Sequence, residues 1–365
     1  MNFKKLLFNQ YLTWKYASGR TKKYWNGKEK SKAEIIKDLI AWQIQESEFN
    51  SLYYAMGLNI SGKKQNDFIG RKTFLCIKDK VEKKLKASAN VSSLNYDVIT
   101  KDKFYLTSIL SQNSIPCIKN IAVIVRGKLV TSNNTEFPLD ELINIDKEFV
   151  LKNITLESSE GVLSCEVVNG KIKTSVSLLN IDELKKKLGQ GIWVVQKKHC
   201  SHAAIQKINN SALNTTRIVT ILNSNEPEYL TGFQGIATNN AVTDSWSNGA
   251  VYVGIIPENN SLKGEAFTSP SDPREGLLKY HPDSKVEFMG YNIPYLSEAV
   301  KLCIKAHKLL YFNFIIGWDV AITNDGPFIL EANEKPGMNV VQCIDGGLRE
   351  KILMYSKNIL SKKFN

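Results

Sequence analysis

The sequence has no CxxC pair and only four histidines, so Cys76, Cys117, Cys165, Cys200, Cys303 and Cys343 lack the spacing and partners of a structural zinc site. Scattered singly, they are too sparse for a disulfide scaffold, and a reducing compartment is expected. Apolar runs are short. Near the amino terminus only Leu6-Leu7-Phe8 stands together, far below a membrane span or a signal-peptide core, so the chain is expected in the cytosol. Ten prolines and 22 glycines among 365 residues are ordinary usage, which excludes collagen-like and low-complexity chains, and no repeat of solenoid period is present.

What the chain does have is apolar content and positive charge. With 43% hydrophobic residues it can bury a core, and its length suggests two or three lobes. Lys and Arg number 48 against 36 Asp and Glu, a net charge of +12, so an anionic partner is expected: nucleotide, nucleic acid, acidic sugar or membrane surface. The first fifty residues carry ten Lys or Arg and five Asp or Glu, interleaved with Tyr11, Trp14, Tyr16, Tyr24 and Trp25. Such a stretch can lie on an anionic surface. A helical lobe with its aromatics inside and its lysines in water is the plainer expectation.

From about residue 95 short β-rich runs appear at 121–126, 148–152, 193–196, 217–222 and 249–256, with a helical stretch at 181–189, giving a mixed α+β architecture. The clearest helix runs from Pro294 to Leu310, with an apolar stripe through Leu296, Ala299, Val300, Cys303 and Ile304. His307 lies on that stripe and reads as a satisfied core residue.

The most informative segment is FNFIIGWDVAITNDGPFILEANEKPG, residues 312–337, two apolar strands around the turn Thr323-Asn324-Asp325-Gly326-Pro327. Residue 325 is midway between Asp319 and Glu331, so the two carboxylates should face each other across paired strands, where they repel unless a cation lies between them. Strand periodicity places Asn333 on the face of Glu331, opposite Gly317, whose missing side chain should leave room for a ligand. Oxygen donors of this kind suit a hard cation, best magnesium held jointly with a nucleotide. The alternative, carboxylates paired with lysines on a solvated face, sits poorly with the flanking Ile315, Ile316, Val320, Ile329 and Leu330.

This stretch resembles the last catalytic block of the ATP-grasp superfamily, most closely its sugar-transfer-associated branch. Upstream segments agree with that branch in order: 96–116, 148–162, 193–202, 214–220, 244–250 and 281–294. The resemblance implies two α+β lobes clasping ATP, with a basic helical N-terminal region at 1–94, a first lobe at 95–200 and a second at 201–365. It implies an ATP- and magnesium-dependent carboxylate–amine ligase that works through an acyl phosphate and releases ADP and phosphate, with manganese as the alternative ion.

Carried over residue by residue, Lys103 and Lys152 match the phosphate lysines, Ser158, Ser159 and Gly161 fall in the phosphate-covering loop, and Gln196 and Lys197 match the adenine hinge. Arg217 would face the reacting centre beside Lys152, although a cross-strand ion pair is its plain alternative. Asp319, Glu331 and Asn333 match the metal ligands. The loop is poorer in glycine than the family's usual one, and Gln196 stands where a glutamate is common. His202, Asp244, Asn248, His281 and Asp283 lie in matching blocks without a derivable role. Expected substrates are a small carboxylate and an amine, a sugar or an amino acid among them; the N-terminal region could meet an acidic glycan or the inner membrane face, and nucleic acid is not expected. Rival readings are an ATP-grasp kinase or thiol ligase, a degenerate non-catalytic grasp, and a basic nucleic-acid-binding module.

Overall fold

The computed structural model of the chain describes residues 22–131, 135–154, 161–174, 177–274 and 276–362. Helix α1 (Lys32–Glu46) starts at Ser31, whose side chain caps Glu34 while Glu34 reaches back to the Ser31 backbone, and it buries Ile35, Leu39 and Trp42. Helices α2 (Arg71–Ser88), α3 (Asp97–Lys101) and α4 (Lys103–Gln112) follow. Asp102 caps α4 by accepting from the Phe104 and Tyr105 amides, and so fixes Lys103 at the first helical position.

Eight strands then form the first sheet: β1 (Asn120–Val125), β2 (Lys128–Thr131), β3 (Glu136–Pro138), β4 (Glu148–Asn153), β5 (Val162–Val168), β6 (Lys171–Lys173), β7 (Leu178–Leu179) and β8 (Trp193–Lys197). Their spatial order is β3-β2-β1-β8-β4-β5-β6-β7. Helix α5 (Ile181–Leu188) covers one face, packing Leu184 and Leu188 on Ile124, Phe149, Leu151 and Val195. Period-two alternation then turns Lys152 and Gln196 to the opposite face.

After α6 (Ala203–Ile208) come β9 (Thr215–Asn223), β10 (Glu226–Ile236), β11 (Val251–Ile256) and β12 (Ser261–Leu262), then α7 (Leu296–Leu309), β13 (Ile315–Thr323) and β14 (Gly326–Asn333). The second sheet has the order β12-β11-β10-β9-β13-β14. Helix α7 lays Leu296, Ala299, Cys303 and Ala306 on one face, against Ile218, Val253, Trp318 and Val320. The other face receives α2, α8 (Met338–Asp345) and α9 (Arg349–Leu360), through Val81, Leu85, Val341 and Ile352 against Val219, Ile221 and Ile315. Helix α2 thus belongs to the core of the second sheet.

All the expected strands and both expected helices form, each within a few residues of its expected span. In the N-terminal region Tyr24 is buried and stacks on Phe267 at 4.6 Å, and the Trp25 indole donates to the Ala55 carbonyl, so these aromatics face inward. Tyr11, Trp14 and Tyr16 lie outside the described residues. All six cysteines are free thiols, and among the described residues no helix is long and apolar enough to cross a membrane.

Candidate functional site

The hairpin of β13 and β14 places Asp319 opposite Glu331 and Gly317 opposite Asn333. The turn itself is tighter than expected, with Thr323 paired to Gly326 and Pro327 already in the strand. A bulge between Asp319 and Val320 in the pairing, at Leu330, restores the facing of the carboxylates that the tighter turn would have shifted by one residue. Gly317 also serves a purpose other than the expected one. A side chain there would meet the Pro336 ring at 2.8 Å, so the missing Cβ makes room for Pro336 and not for a ligand.

Each carboxylate has a cation. On the neighbouring strand Arg217 lies directly across from Asp319 and holds both of its oxygens, Nε to Oδ1 at 2.6 Å and Nη2 to Oδ2 at 3.2 Å. The cross-strand ion pair is therefore formed, and it sits in the row where the reacting centre was expected. Glu331 meets Lys152 at 3.2 Å, a contact that ties the first sheet to the second. Burial alone would raise the Glu331 pKa, but Lys152, Lys103 and Arg217 outweigh it and hold the carboxyl below the ordinary range. Lys103, Lys152, Arg217, Asp319 and Glu331 thus form one electrostatic cluster between the sheets. Asn333 completes it with an amide nitrogen 3.3 Å from Asp319 Oδ2; turning that amide over would present its oxygen instead.

Gln196 is buried at the end of β8, donates to Asn120 Oδ1 at 2.8 Å, and is one end of a chain. Asn120 donates to Thr107 Oγ1 at 2.7 Å, and the Thr107 hydroxyl donates to the Lys103 carbonyl at 2.9 Å. This relay locks the first turn of α4 to the sheet. Lys197 is exposed, and Gly161 is buried immediately before β5. Ser158 and Ser159 lie outside the described residues.

The remaining block residues are tied into loops. His202 caps α6, and buried His281 bonds the Ala237 carbonyl and accepts from the Ser284 amide. Asp283 accepts from the Asn239 amide, and Asn248 donates to Thr243. Asp244 accepts from both the amide and the hydroxyl of Thr215 at 2.6 Å.

Sequence reasoning missed a buried trio beside the hairpin, Lys78, Glu82 and Glu334, with two exposed lysines at its rim. Lys78 on α2, only 2% exposed, pairs with Glu82 at 2.7 Å and with Glu334 at 3.3 Å, while Lys101 and Lys335 each reach Glu334 at 3.1 Å. These lysines overcome burial and bring Glu334 down to about 2. Glu334 follows Asn333 directly, so this cluster anchors the end of β14. In KDKVEKKLK nothing distinguishes Lys78 from its solvated neighbours; only Glu334, next to the Asn, carried a signal.

Among the described residues no group of three or more His, Cys, Asp or Glu could hold a metal unaided. Two carboxylates and one amide leave positions for waters and phosphate oxygens, which is how magnesium is usually held beside a nucleotide. A family model described as sugar-transfer associated ATP-grasp matches residues 80–355. The chain belongs to that family. Its two α+β lobes and their facing sheets are those of an ATP-grasp protein.

Among solved structures the chain is similar to the D-alanine-D-alanine ligase from Coxiella burnetii, at 10% identity and TM-score 0.41, over 73% of this chain and 60% of that one. It is similar also to the D-alanine–D-alanine ligase from Bacillus anthracis complexed with ATP, at 16% and 0.40, over 73% and 68%. A third is the L-amino acid ligase from Bacillus licheniformis, at 12% and 0.39, over 74% and 52%. The chain spans about three fifths of the first of these ligases. No curated protein matches it.

Proposed function

We propose that this ATP-grasp protein is an ATP- and magnesium-dependent ligase that joins a small carboxylate to an amine, with a sugar among its substrates. The observation that carries the reading is the cluster in which Asp319, Glu331 and Asn333 meet Lys152 and Arg217 between the two sheets. A carboxylate is a poor electrophile, and phosphorylation by ATP turns it into an acyl phosphate from which an amine can displace phosphate. Both steps concentrate negative charge.

The residues fit that demand. Lys103 and Lys152 supply point charges for the α- and β-phosphates, and Gln196 and Lys197 stand at the strand end suited to adenine. Asp319, Glu331 and the Asn333 amide would hold magnesium, whose charge would offset that of the phosphate oxygens. Arg217, whose fork now spans Asp319, can exchange that partner for the γ-phosphate or the substrate carboxylate as they arrive. Lys152 would likewise move from Glu331 to phosphate.

The experiment is a hydroxylamine trap. The full chain is incubated with magnesium-ATP, hydroxylamine and single carboxylates drawn from amino acids and sugar acids. A hydroxamate formed with one of them, and lost in Glu331→Ala, is expected. ATP consumption that phosphorylates a hydroxyl and yields no hydroxamate would replace the ligase by a kinase.

A further inference from the structure

One carboxylate beside the Arg217–Asp319 row takes part in no ion pair among the described residues. Asp244 lies in the loop between β10 and β11 and is folded back over the sheet above Gly235, where a Cβ would approach its Oδ2 to 2.9 Å. Both the amide and the hydroxyl of Thr215 bind that one oxygen. Besides Thr215 only its own backbone amide bonds the carboxylate, and among the described residues Asp244 takes part in none of the ion pairs, in a chain whose net charge is +12. Burial pushes its pKa up, the Thr215 bonds pull it back, and the charge of Asp319 pushes it up again. A half-buried carboxylate held in place without a counter-charge of its own gains when a cation arrives.

Its position gives that cation a purpose. Thr215 and Arg217 are two apart on β9 and share a face, so Asp244 sits about 7 Å along the strand from the row of Arg217 and Asp319. Aromatic rings continue the same surface. Phe233, opposite Arg217 on β10, stacks on Tyr252 at 4.5 Å, and Trp246, two residues after Asp244, meets Tyr252 edge-on at 5.0 Å. The Tyr252 hydroxyl accepts from the Trp246 amide at 3.0 Å, which fixes the loop that carries Asp244.

We propose that Asp244 and Trp246 form the acceptor subsite, in which Asp244 Oδ1 receives the ammonium of an amino sugar and Trp246 offers a ring on which the sugar can lie. This rests on the ligase reading and specifies which substrate would occupy the surface beside Arg217. A carboxylate beside an aromatic ring recognises charge and a flat apolar face together, which suits a pyranose bearing an amine better than a simple amino acid.

The test uses the full chain with magnesium-ADP and two probes, D-glucosamine and D-glucose, followed by saturation-transfer NMR and titration. The wild type is expected to bind glucosamine about tenfold or more tightly than glucose. In Asp244→Asn, which keeps the acceptor oxygen for Thr215, that preference should fall to near unity while the thermal shift given by magnesium-ATP stays as in the wild type. In Trp246→Leu the transfer from aromatic protons should disappear. A wild type that binds both sugars equally, or an Asp244→Asn protein that retains the preference, would overturn the proposal. A wild type with no magnesium-ATP shift but an intact amine preference would remove the nucleotide site and leave the amine subsite standing.

Discussion

Lys152 and Glu331 meet from different sheets, and the meaning of the pair differs from that of an ordinary surface ion pair. The two side chains keep exposures of 15% and 29%, and Glu331 still has Lys103 and Arg217 nearby, so Lys152→Met is expected to lower folding stability by only about 1 kcal/mol, as measured by urea unfolding. It should nevertheless weaken magnesium-ATP binding by about tenfold or more in calorimetric titration, because the phosphate contact proposed for Lys152 is lost. Equal affinity in the two proteins would remove Lys152 from the site. His307 is the opposite kind of residue, structural and far from solvent. Trp318 donates to the Thr220 oxygen, so the Thr220 hydroxyl donates to His307 Nδ1 and His307 Nε2–H points to the Asn313 carbonyl. Burial lowers its pKa to about 4, with the Asn313 carbonyl partly opposing. The unfolded chain takes up this proton below about 6.5 and the folded one refuses it until about 4, so its contribution is complete above 6.5 and is lost as the pH falls. Between pH 7 and 4.5 that loss is about 2.5 kcal/mol, and His307→Gln, whatever it costs at neutral pH, should show a correspondingly shallower acid dependence in urea unfolding.

At the scale of elements, the hairpin was legible because strand alternation and turn residues are local signals. The bulge at Leu330 was not, since it depends on the turn type. The longest strand, β10, escaped notice because Pro227, Gly232 and Gly235 depress its β character. Two of those residues are demanded by neighbours. A Cβ at Gly232 would meet the Arg217 carbonyl at 2.6 Å, and one at Gly235 would meet Asp244. Gly317→Ala tests the same logic on β13. Its methyl collides with Pro336, so the segment after Asn333 must shift, and a loss of about 1–3 kcal/mol in urea unfolding together with weaker magnesium binding is expected. Helix α2 is held by a more distant bond. Lys78→Met would leave Glu82 and Glu334 buried without their cation, at a cost of about 3–5 kcal/mol. A change below about 1 kcal/mol in urea unfolding would mean that water reaches those carboxylates.

For the molecule as a whole, the mixed α+β character and the pairing of the carboxylates could be read from sequence because each is written within about thirty residues. The embrace of the two sheets could not, since Lys152 and Glu331 are 179 positions apart and nothing local announces their contact. The same holds for the core that α2 shares with the second sheet, and for the aromatic surface from Phe233 to Trp246. On the proposed function this embrace binds magnesium-ATP through the hairpin. That binding is tested most directly by thermal unfolding with and without magnesium-ATP, on the wild type and on Glu331→Ala. Nucleotide at about a hundredfold over its dissociation constant should stabilise the wild type by roughly 2.7 kcal/mol, depend on magnesium, and leave the variant unshifted. A wild type unaffected by magnesium-ATP, or a variant shifted as much as the wild type, would mean that the hairpin does not hold the nucleotide.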